Sequence, residues 1–231
     1  MKTVLITGAN RGIGLGHARR FAERGVAVFA TARRIDADDE LHRLAHAHPG
    51  RFTVLHYDAA DPEAPAQLKA ALGDTPVDLL LANAGATGES GQALGNIHVD
   101  GVLDLIRINA LAPLKLVEAL VYNITLSERK LVALQSSRMG SIGGNTTGGS
   151  YEYRLSKVAV NMIARNLAND LAPRGVTVVA LHPGWVRTRM GGQGANVDVE
   201  TSVAGQQQLL DTAGPAHNGR FFNYDGTELP W

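Results

Sequence analysis

The sequence predicts an α/β fold in which a doubly wound parallel sheet of about seven strands carries helices on both faces. Three observations lead to this fold. Short apolar runs alternate with longer amphipathic segments along the whole chain. A glycine-rich turn directly follows the first apolar run. Polar or glycine residues also follow the ends of the later runs, which is where parallel sheets of this class bind their ligands.

Length and composition favour one domain over residues 1–231. The chain is 45% hydrophobic and 19% charged, which is enough apolar material for one sizeable core. Its 22 basic and 22 acidic residues balance. We therefore expect neither a nucleic-acid partner nor a membrane-surface partner.

The absence of cysteine excludes disulfides, thiolate catalysis and cysteine metal sites. The first apolar run, Val4 to Ile6, is too short for a signal peptide and leads straight into glycines. No apolar span is long enough to cross a membrane. A cytoplasmic location is the expectation.

The N-terminal segment reads as a βαβ unit. Lys2 to Thr7 is a buried strand, Ile13 to Arg24 is a helix ended by Gly25, and Val26 to Ala30 is a second strand. The turn between the first strand and the helix has the spacing Gly8-x-x-x-Gly12-x-Gly14. Glycines let the backbone approach a diphosphate, and the helix N-terminus offers it free N–H groups. This turn predicts a dinucleotide site in a Rossmann-type fold.

The end of the second strand indicates which dinucleotide binds. An NAD site usually has an acidic residue there, whereas an NADP site has arginine. Ala32 occupies the acidic position, Arg33 and Arg34 follow it, and Arg11 lies inside the glycine turn. Guanidinium groups near the ribose favour a 2′-phosphate, so NADP(H) is the predicted cofactor. Arg34 taken alone is also compatible with a solvent-facing role.

The rest of the chain continues the alternation of strands and helices. Asp61 and Pro62 predict a helix start, with Asp61 as a possible cap. Pro113 lies inside a long apolar helix and predicts a bend close to Asn109. The further predicted strands are 53–56, 77–82, 130–134, 177–181 and 219–223, and the further long helices are 101–125, 153–172 and 199–212.

Three histidines in the second predicted helical region, His42, His46 and His48, raise the question of a metal site. His42 and His46 share a helix face, but no third ligand has a suitable spacing. We interpret the segment as a polar surface helix and expect no metal.

The pair Tyr153 and Lys157 carries the predicted chemistry. Their spacing of four puts both side chains on one helix face. The lysine charge is expected to lower the tyrosine pKa toward neutral pH, so that the phenol can exchange a proton with an oxyanion or alcohol. A hydroxyl from Ser137 or Ser136 is expected at the same oxygen.

These motifs resemble the classical short-chain dehydrogenase/reductase family over essentially the whole length. The matching residues are Thr7-Gly8-x-x-x-Gly12-x-Gly14, Asp58, Asn83-Ala84-Gly85, Asn109, Ser137, Tyr153-x-x-x-Lys157 and Pro183-Gly184. Three longer stretches, 140–145, 151–157 and 220–226, are similar to the branch with the sniffer carbonyl reductase and the C-factor proteins.

The resemblance implies a role for each matching residue. Tyr153 is the general acid, Lys157 lowers its pKa and holds the nicotinamide ribose, Ser137 orients the substrate oxygen, and Asn109 holds a water. The implied cofactor-binding residues are Gly8, Asn10, Arg11, Gly12, Ile13, Gly14, Arg33, Asp58, Asn83, Ala84, Gly85, Tyr153, Lys157, Pro183, Gly184, Val186 and Thr188. Many members carry a second Asn where this chain has Ala82.

The expected function is NADPH-dependent reduction of a carbonyl, in a ketone, aldehyde or quinone, to an alcohol. The alternative is a signalling or regulatory protein of C-factor type that binds the dinucleotide with little turnover. Met139, Trp185 and Met190 flank the predicted catalytic edge and are expected to line the substrate pocket, although a core role for Trp185 is equally compatible with the sequence. Apolar faces on helices 101–125 and 153–172 make a homo-oligomer plausible.

Overall fold

The computed structural model describes residues 1–36, 39–89 and 92–231. Its centre is one sheet of seven parallel strands in the order β3-β2-β1-β4-β5-β6-β7. The strands are β1 (Thr3–Ile6), β2 (Ala27–Ala32), β3 (Phe52–His56), β4 (Leu79–Ala82), β5 (Leu131–Gln135), β6 (Thr177–His182) and β7 (Arg220–Asn223). This order confirms the predicted doubly wound α/β sheet. The chain adds strands toward one edge up to β3 and toward the other edge from β4, so the order of connection reverses between β1 and β4.

Helices cover both faces of the sheet. They are α1 (Gly12–Glu23), α2 (Glu40–Ala47), α3 (Ala64–Leu72), α4 (Val99–Ile106), α5 (Ala112–Leu126), α6 (Tyr151–Leu171) and α7 (Val199–Thr212). A π-helical turn, Arg107–Leu111, joins α4 to α5. Short 3₁₀ turns occur at Arg138–Gly140, Ala172–Arg174 and Pro215–His217.

The core has two layers, one on each face of the sheet. Along β4, Leu79 and Leu81 pack with the α1 and α7 side, while Leu80 packs with the α5 and α6 side. All three side chains are fully buried. A strand covered on both faces reads as a continuous apolar run rather than an alternating one, which is why the sequence located it.

The long helix predicted over 101–125 is interrupted. The structure has two helices joined by the π-helical turn, in which the Ala112 N–H donates to the Arg107 carbonyl. Pro113 has no N–H to donate to the carbonyl of Asn109, four residues earlier, so regular α-helical bonding cannot continue there. The predicted disturbance near Asn109 is confirmed, and its form is a wider turn.

The predicted helix cap, Asp61, lies two residues before the observed N-cap, Glu63. Helix α3 begins at Ala64, with Pro65 in its first turn. The Asp61 carboxylate accepts a hydrogen bond from the Glu63 N–H at 2.9 Å. Asp61 therefore closes the turn that leads into the helix instead of capping the helix itself.

Two findings concern the function classes considered above. Within the described ranges, no helix is long and apolar enough to cross a membrane. No group of three or more His, Asp or Glu residues suited to hold a metal ion occurs there either. His42 and His46 lie on α2, where the His42 ring contacts Asp39 and the His46 ring contacts the His42 carbonyl.

Helix α7 packs closely on α1 and buries a histidine between them. A Cβ at Gly16 would lie 2.9 Å from both Val199 and Val203, so only glycine lets the helices approach this far. His17 is fully buried beside Gln207, whose amide donates to the His17 carbonyl at 3.3 Å. Burial lowers the pKa of His17 to about 4, so the ring is neutral in the folded protein.

We expect His17 to make the fold sensitive to mild acid. The pKa of His17 is lower in the folded state than its ordinary value of 6.5, so the unfolded state binds the proton first as pH falls. The fold therefore keeps its full stability above pH 6.5 and loses stability as pH falls toward about 4. At ~1.4 kcal/mol per pKa unit, this amounts to about 2 kcal/mol between about pH 7.5 and pH 5. His17→Asn should reduce the pH dependence of the unfolding free energy, measured by urea denaturation, by that amount. His46→Asn, at an exposed position on α2, is the matched control. An equal slope of unfolding free energy against pH in the wild-type protein and both variants would contradict the prediction.

Candidate active site

The predicted site residues meet at the carboxyl edge of the sheet. They follow β1, β2, β3, β4, β5 and β6, and α6 packs against β5 and β6. Because the sheet is parallel, the carboxyl ends of all these strands open onto one side. The sheet thus assembles residues that are far apart in the sequence.

The glycine turn after β1 is shaped by close contacts with its own backbone. Gly8 and Gly12 have positive φ angles of 65° and 54°. A Cβ on Gly14 would lie 2.3 Å from the Gly8 carbonyl oxygen and 2.6 Å from the Asn83 amide nitrogen. Glycine at these positions is therefore required by the fold of the turn, whatever it binds.

The glycine turn is tied to the end of β4. The Thr7 hydroxyl accepts hydrogen bonds from the backbone N–H groups of Asn83 and Ala84, both at 3.0 Å. The Asn83 side chain donates to the carbonyls of Thr7 and Gly8 at 3.0 and 3.2 Å. These four bonds fix the two loops on either side of the β1/β4 reversal. This role of Thr7 was not predicted from the sequence.

The first turn of α1 is open to an anion. Its N-cap residue, Arg11, makes no side-chain cap, and no acidic residue lies in the first turn. The N–H groups at this helix end therefore lack an internal counter-charge. Their position behind the glycine turn fits a dinucleotide diphosphate, and Asn10 and Ile13 are partly buried beside them.

The basic residues and Asp58 lie around the same edge. Arg11 and Arg33 are exposed, whereas Ala32 is buried at the end of β2. Asp58 is partly buried after β3, and its carboxylate accepts a hydrogen bond from the Ala60 N–H at 3.0 Å. The arginines are thus free of burial at the rim, which suits contact with a phosphate.

The segment after β6 lies against the glycine turn. The methyl group of Thr188 is 3.2 Å from where a Gly12 Cβ would stand. Val186 is buried, and the loop is closed by a hydrogen bond from the Arg187 N–H to the Val197 carbonyl. The Pro183 carbonyl accepts a hydrogen bond from the Ser202 hydroxyl on α7. Gly184 has a φ of 85°, and a Cβ there would lie 3.0 Å from the Tyr224 ring.

Ser137 and Ser136 have different surroundings. The Ser137 side chain interacts with the Tyr153 phenol in a way that lowers the tyrosine pKa, and its hydroxyl accepts a hydrogen bond from the Met139 N–H at 3.2 Å. Ser136 is buried against a later part of α6, where its hydroxyl donates to the Asn161 side chain at 2.5 Å. Only Ser137 is placed to share a substrate oxygen with Tyr153.

Lys157 lies one turn beyond Tyr153 and is buried. Its ammonium donates to the Gln135 carbonyl at 2.8 Å and stands 5.7 Å from the centre of the Tyr153 ring. Burial lowers the pKa of Lys157 to about 8. The lysine therefore keeps most of its charge at neutral pH.

The prediction that the pKa of Tyr153 is lowered is wrong. Burial raises the pKa of Tyr153, and the hydrogen bond from Ser137 opposes that rise only in part. Desolvation dominates because the phenolate would lose its hydration in this pocket. The Lys157 ammonium does not offset this loss, because it donates its hydrogen bond to the Gln135 carbonyl and not to the phenol. Tyr153 is consequently protonated at neutral pH.

Asn109 connects the β4 loop to α6. Its side-chain oxygen accepts from the Ala86 N–H at 2.8 Å, and its amide donates to the Ala86 carbonyl and to the Ser156 hydroxyl, both at 2.9 Å. Ser156 in turn donates to the Tyr153 carbonyl. Ser156 was not predicted to have a role, although it lies between Tyr153 and Lys157 within the motif.

The expected substrate residues differ in exposure. Trp185 is 57% exposed and Met190 is 52% exposed, while Met139 is partly buried next to Ser137. The Trp185 indole N–H donates to the Gly191 carbonyl at 2.8 Å. A core role for Trp185 is therefore wrong, because its ring lies on the surface of the loop after β6.

The family model for short-chain dehydrogenases matches residues 2–196. The chain belongs to this family. C-signal from Myxococcus xanthus is 45% identical over 156 residues, which is 68% of this chain and 93% of C-signal. The predicted family and its C-factor branch are thereby confirmed.

Solved structures of carbonyl reductases are similar over the full chain. Sniffer of D. melanogaster is 33% identical with a TM-score of 0.91, and each chain is fully covered. A carbonyl reductase from Pseudomonas aeruginosa PAO1 in complex with NADP is 36% identical with a TM-score of 0.87, again with full coverage of both chains. The chain is thus an oxidoreductase of short-chain dehydrogenase type by family.

We expect the buried charge of Lys157 to cost stability. A lysine pKa lowered from 10.5 to about 8 destabilises the fold fully below about pH 8, and the penalty fades as pH rises toward 10.5. Lys157→Met keeps the side-chain length and should raise the unfolding free energy by about 1–2 kcal/mol at neutral pH, since the loss of the Gln135 bond offsets part of the gain. Thermal unfolding near pH 7 and pH 10 tests this.

Lys115→Met is the control for this prediction, because Lys115 is exposed on α5. It should change stability by less than about 0.5 kcal/mol. A lower melting temperature for Lys157→Met than for the wild-type protein at neutral pH would contradict the sign.

Proposed function

We propose that residues 1–231 form a single domain that reduces a carbonyl compound with NADPH. The observation that carries this proposal is the interaction of the Ser137 side chain with the Tyr153 phenol, with Lys157 buried one helical turn away. These groups stand beside a glycine turn suited to a dinucleotide. The proposed substrate is a ketone, aldehyde or quinone.

NADPH, when bound, supplies the hydride. The chain's own residues act on the substrate oxygen: Ser137 donates a hydrogen bond to it, and Tyr153 donates both a hydrogen bond and finally its proton. The raised pKa of Tyr153 fits this direction because a general acid must start protonated. Lys157 supplies a fixed positive charge that stabilises the phenolate left behind.

The basic rim supports NADPH over NADH. Ala32 provides no carboxylate for the ribose hydroxyls, and the exposed Arg33 and Arg11 are available to a 2′-phosphate. A similar carbonyl reductase was solved with NADP. We assign Asp58 and Asn83 to Gly85 to the adenosine side, and Pro183, Gly184, Val186 and Thr188 to the nicotinamide side.

A second candidate is a signalling protein with little turnover, favoured by the 45% identity to C-signal. The complete set of Asn109, Ser137, Tyr153 and Lys157 favours the enzyme. Assaying a panel of aldehydes, ketones and quinones with NADPH separates the two, because the signalling function predicts tight NADPH binding without oxidation of the cofactor.

A homo-oligomer is also proposed. Exposed apolar side chains lie on α4 and α6, including Val99, Leu103, Leu155 and Met162. Their solvent exposure supports self-association through these helices.

We expect Arg33→Ala to weaken NADPH binding and leave NADH binding unchanged. The loss of a charge-assisted phosphate contact costs about 1.5–3 kcal/mol, or about 10- to 150-fold in Kd. Fluorescence titration with both cofactors measures the ratio. Arg34→Ala, at the adjacent exposed arginine, should change it less than about threefold. Equal affinities of the wild-type protein for NADH and NADPH would reject the assignment.

Tyr153→Phe should slow turnover by about 10²–10⁴, the usual contribution of general acid catalysis. The ring and the packing remain, so NADPH affinity should stay nearly constant. Tyr151→Phe is the matched control, because Tyr151 is two residues away on α6 and has Leu155 in place of a lysine one turn on. Single-turnover hydride transfer is the measurement. Near-normal transfer in Tyr153→Phe, or an equal loss in Tyr151→Phe, would overturn the mechanism.

A further inference from the structure

Glu152 is a buried acid directly before Tyr153 in the chain. Only 2% of its surface is exposed, although it lies in the first turn of α6. Acidic residues in a first helical turn are usually at the surface, where water hydrates the charge. The carboxylate of Glu152 must therefore be compensated by the groups packed around it.

The two carboxylate oxygens lie against backbone from two other segments. Oε2 accepts a hydrogen bond from the Glu89 N–H at 3.1 Å. A Cβ on Gly88 would be 2.4 Å from Oε2, and a Cβ on Gly101 would be 2.2 Å from Oε1. Glycines at both positions thus create the space that the carboxylate fills.

Gly101 belongs to the first turn of α4. The first N–H groups of a helix have no acceptor within the helix, and they favour negative charge nearby. The N-cap residue of α4, His98, provides no side-chain cap. Asp100 is the acidic residue of this turn itself, and the Glu152 carboxylate, coming from α6, adds a second negative charge beside it at Gly101.

A second set of bonds ties the same loop to the start of α6. The Ser150 N–H donates to the Gln92 carbonyl at 3.0 Å. The buried Gln92 side chain accepts from the His98 N–H at 3.3 Å. The β4–α4 loop therefore contacts the start of α6 at Ser150 and at Glu152, while its other end is held by Asn109 through Ala86.

We propose that Glu152 is a positioning residue for Tyr153. By holding the β4–α4 loop and the first turn of α4 against α6, its carboxylate fixes the start of the helix that presents the Tyr153 hydroxyl to Ser137. Glu152 does not itself touch the reacting atoms, because adjacent residues of a helix point in different directions. This inference rests on the proposed function for its kinetic consequence.

The kinetic test compares Glu152→Ala and Glu152→Gln with the wild-type protein. Small displacements of a catalytic group can cost up to about 10²-fold. We expect Glu152→Ala to lower the hydride-transfer rate about 10- to 100-fold while the Kd for NADPH changes less than about twofold. Glu152→Gln keeps an acceptor for the Glu89 N–H and should recover part of the rate. Glu200→Ala removes an exposed acid from the first turn of α7 and should leave the rate unchanged.

A double-mutant cycle with Gly101 tests the contact itself. Gly101→Ala alone introduces a methyl group into the carboxylate and should lower the rate, although alanine suits a helix better than glycine. In the Glu152→Ala background the same change should cause no further loss, because the clash is gone. Additive effects of the two substitutions would contradict the proposed contact.

A readout without turnover separates this inference from the proposed function. The ring-carbon signal of Tyr153, assigned in ¹³C-tyrosine-labelled protein by its absence in Tyr153→Phe, should shift in Glu152→Ala and stay in place in Glu200→Ala. An unchanged Tyr153 signal, or wild-type hydride transfer in Glu152→Ala below its melting temperature, would overturn the positioning role. If the wild-type protein reduces no carbonyl but the signal shifts, the positioning role stands and the proposed reaction fails.

Discussion

The hydrogen bond from Lys157 to the last carbonyl of β5 is the contact on which the site depends. The Gln135 carbonyl accepts the ammonium at 2.8 Å, at the end of a central strand. A buried ammonium is tolerated only where such acceptors are fixed in advance. The sheet provides that rigidity, and α6 is thereby held across the strand ends with Tyr153 facing Ser137. The same contact keeps the lysine charge at a distance from the phenol.

The interruption between α4 and α5 supplies the second fixed point. Pro113 cannot donate the α-helical hydrogen bond to the Asn109 carbonyl, and the wider turn before α5 contains the buried Asn109 side chain. Asn109 then joins Ala86 to Ser156. A Cβ on Gly85 would approach its oxygen to 3.0 Å, so the small residue after β4 permits this link. A local defect in one helix thus connects the glycine-turn side of the site with α6.

The sequence located what depends on local pattern and missed what depends on distant packing. Strands such as β4 were recognisable as continuous apolar runs, and the glycine turn and the Tyr153–Lys157 spacing were legible directly. The motif spacing did not distinguish Ser136 from Ser137. All residues from Leu131 to Gln135 are buried, so the strand shows no alternation from which the direction of the next side chains could be inferred. The pKa of Tyr153 was predicted with the wrong sign, because spacing reveals the lysine but not the desolvation by the surrounding fold.

The pKa shifts of Tyr153 and Lys157 together bear on which proton transfer the site can perform. Burial disfavours charge on both members of the pair, raising the pKa of Tyr153 and lowering that of Lys157 to about 8. At neutral pH this leaves a protonated phenol beside a mostly charged ammonium, which is the starting state for donating a proton to a substrate oxygen. Oxidation of an alcohol needs the phenolate at the start, and the fold opposes that form. In the proposed reaction, the electrostatics of the chain therefore suit the role of Tyr153 as the proton donor in carbonyl reduction near pH 7.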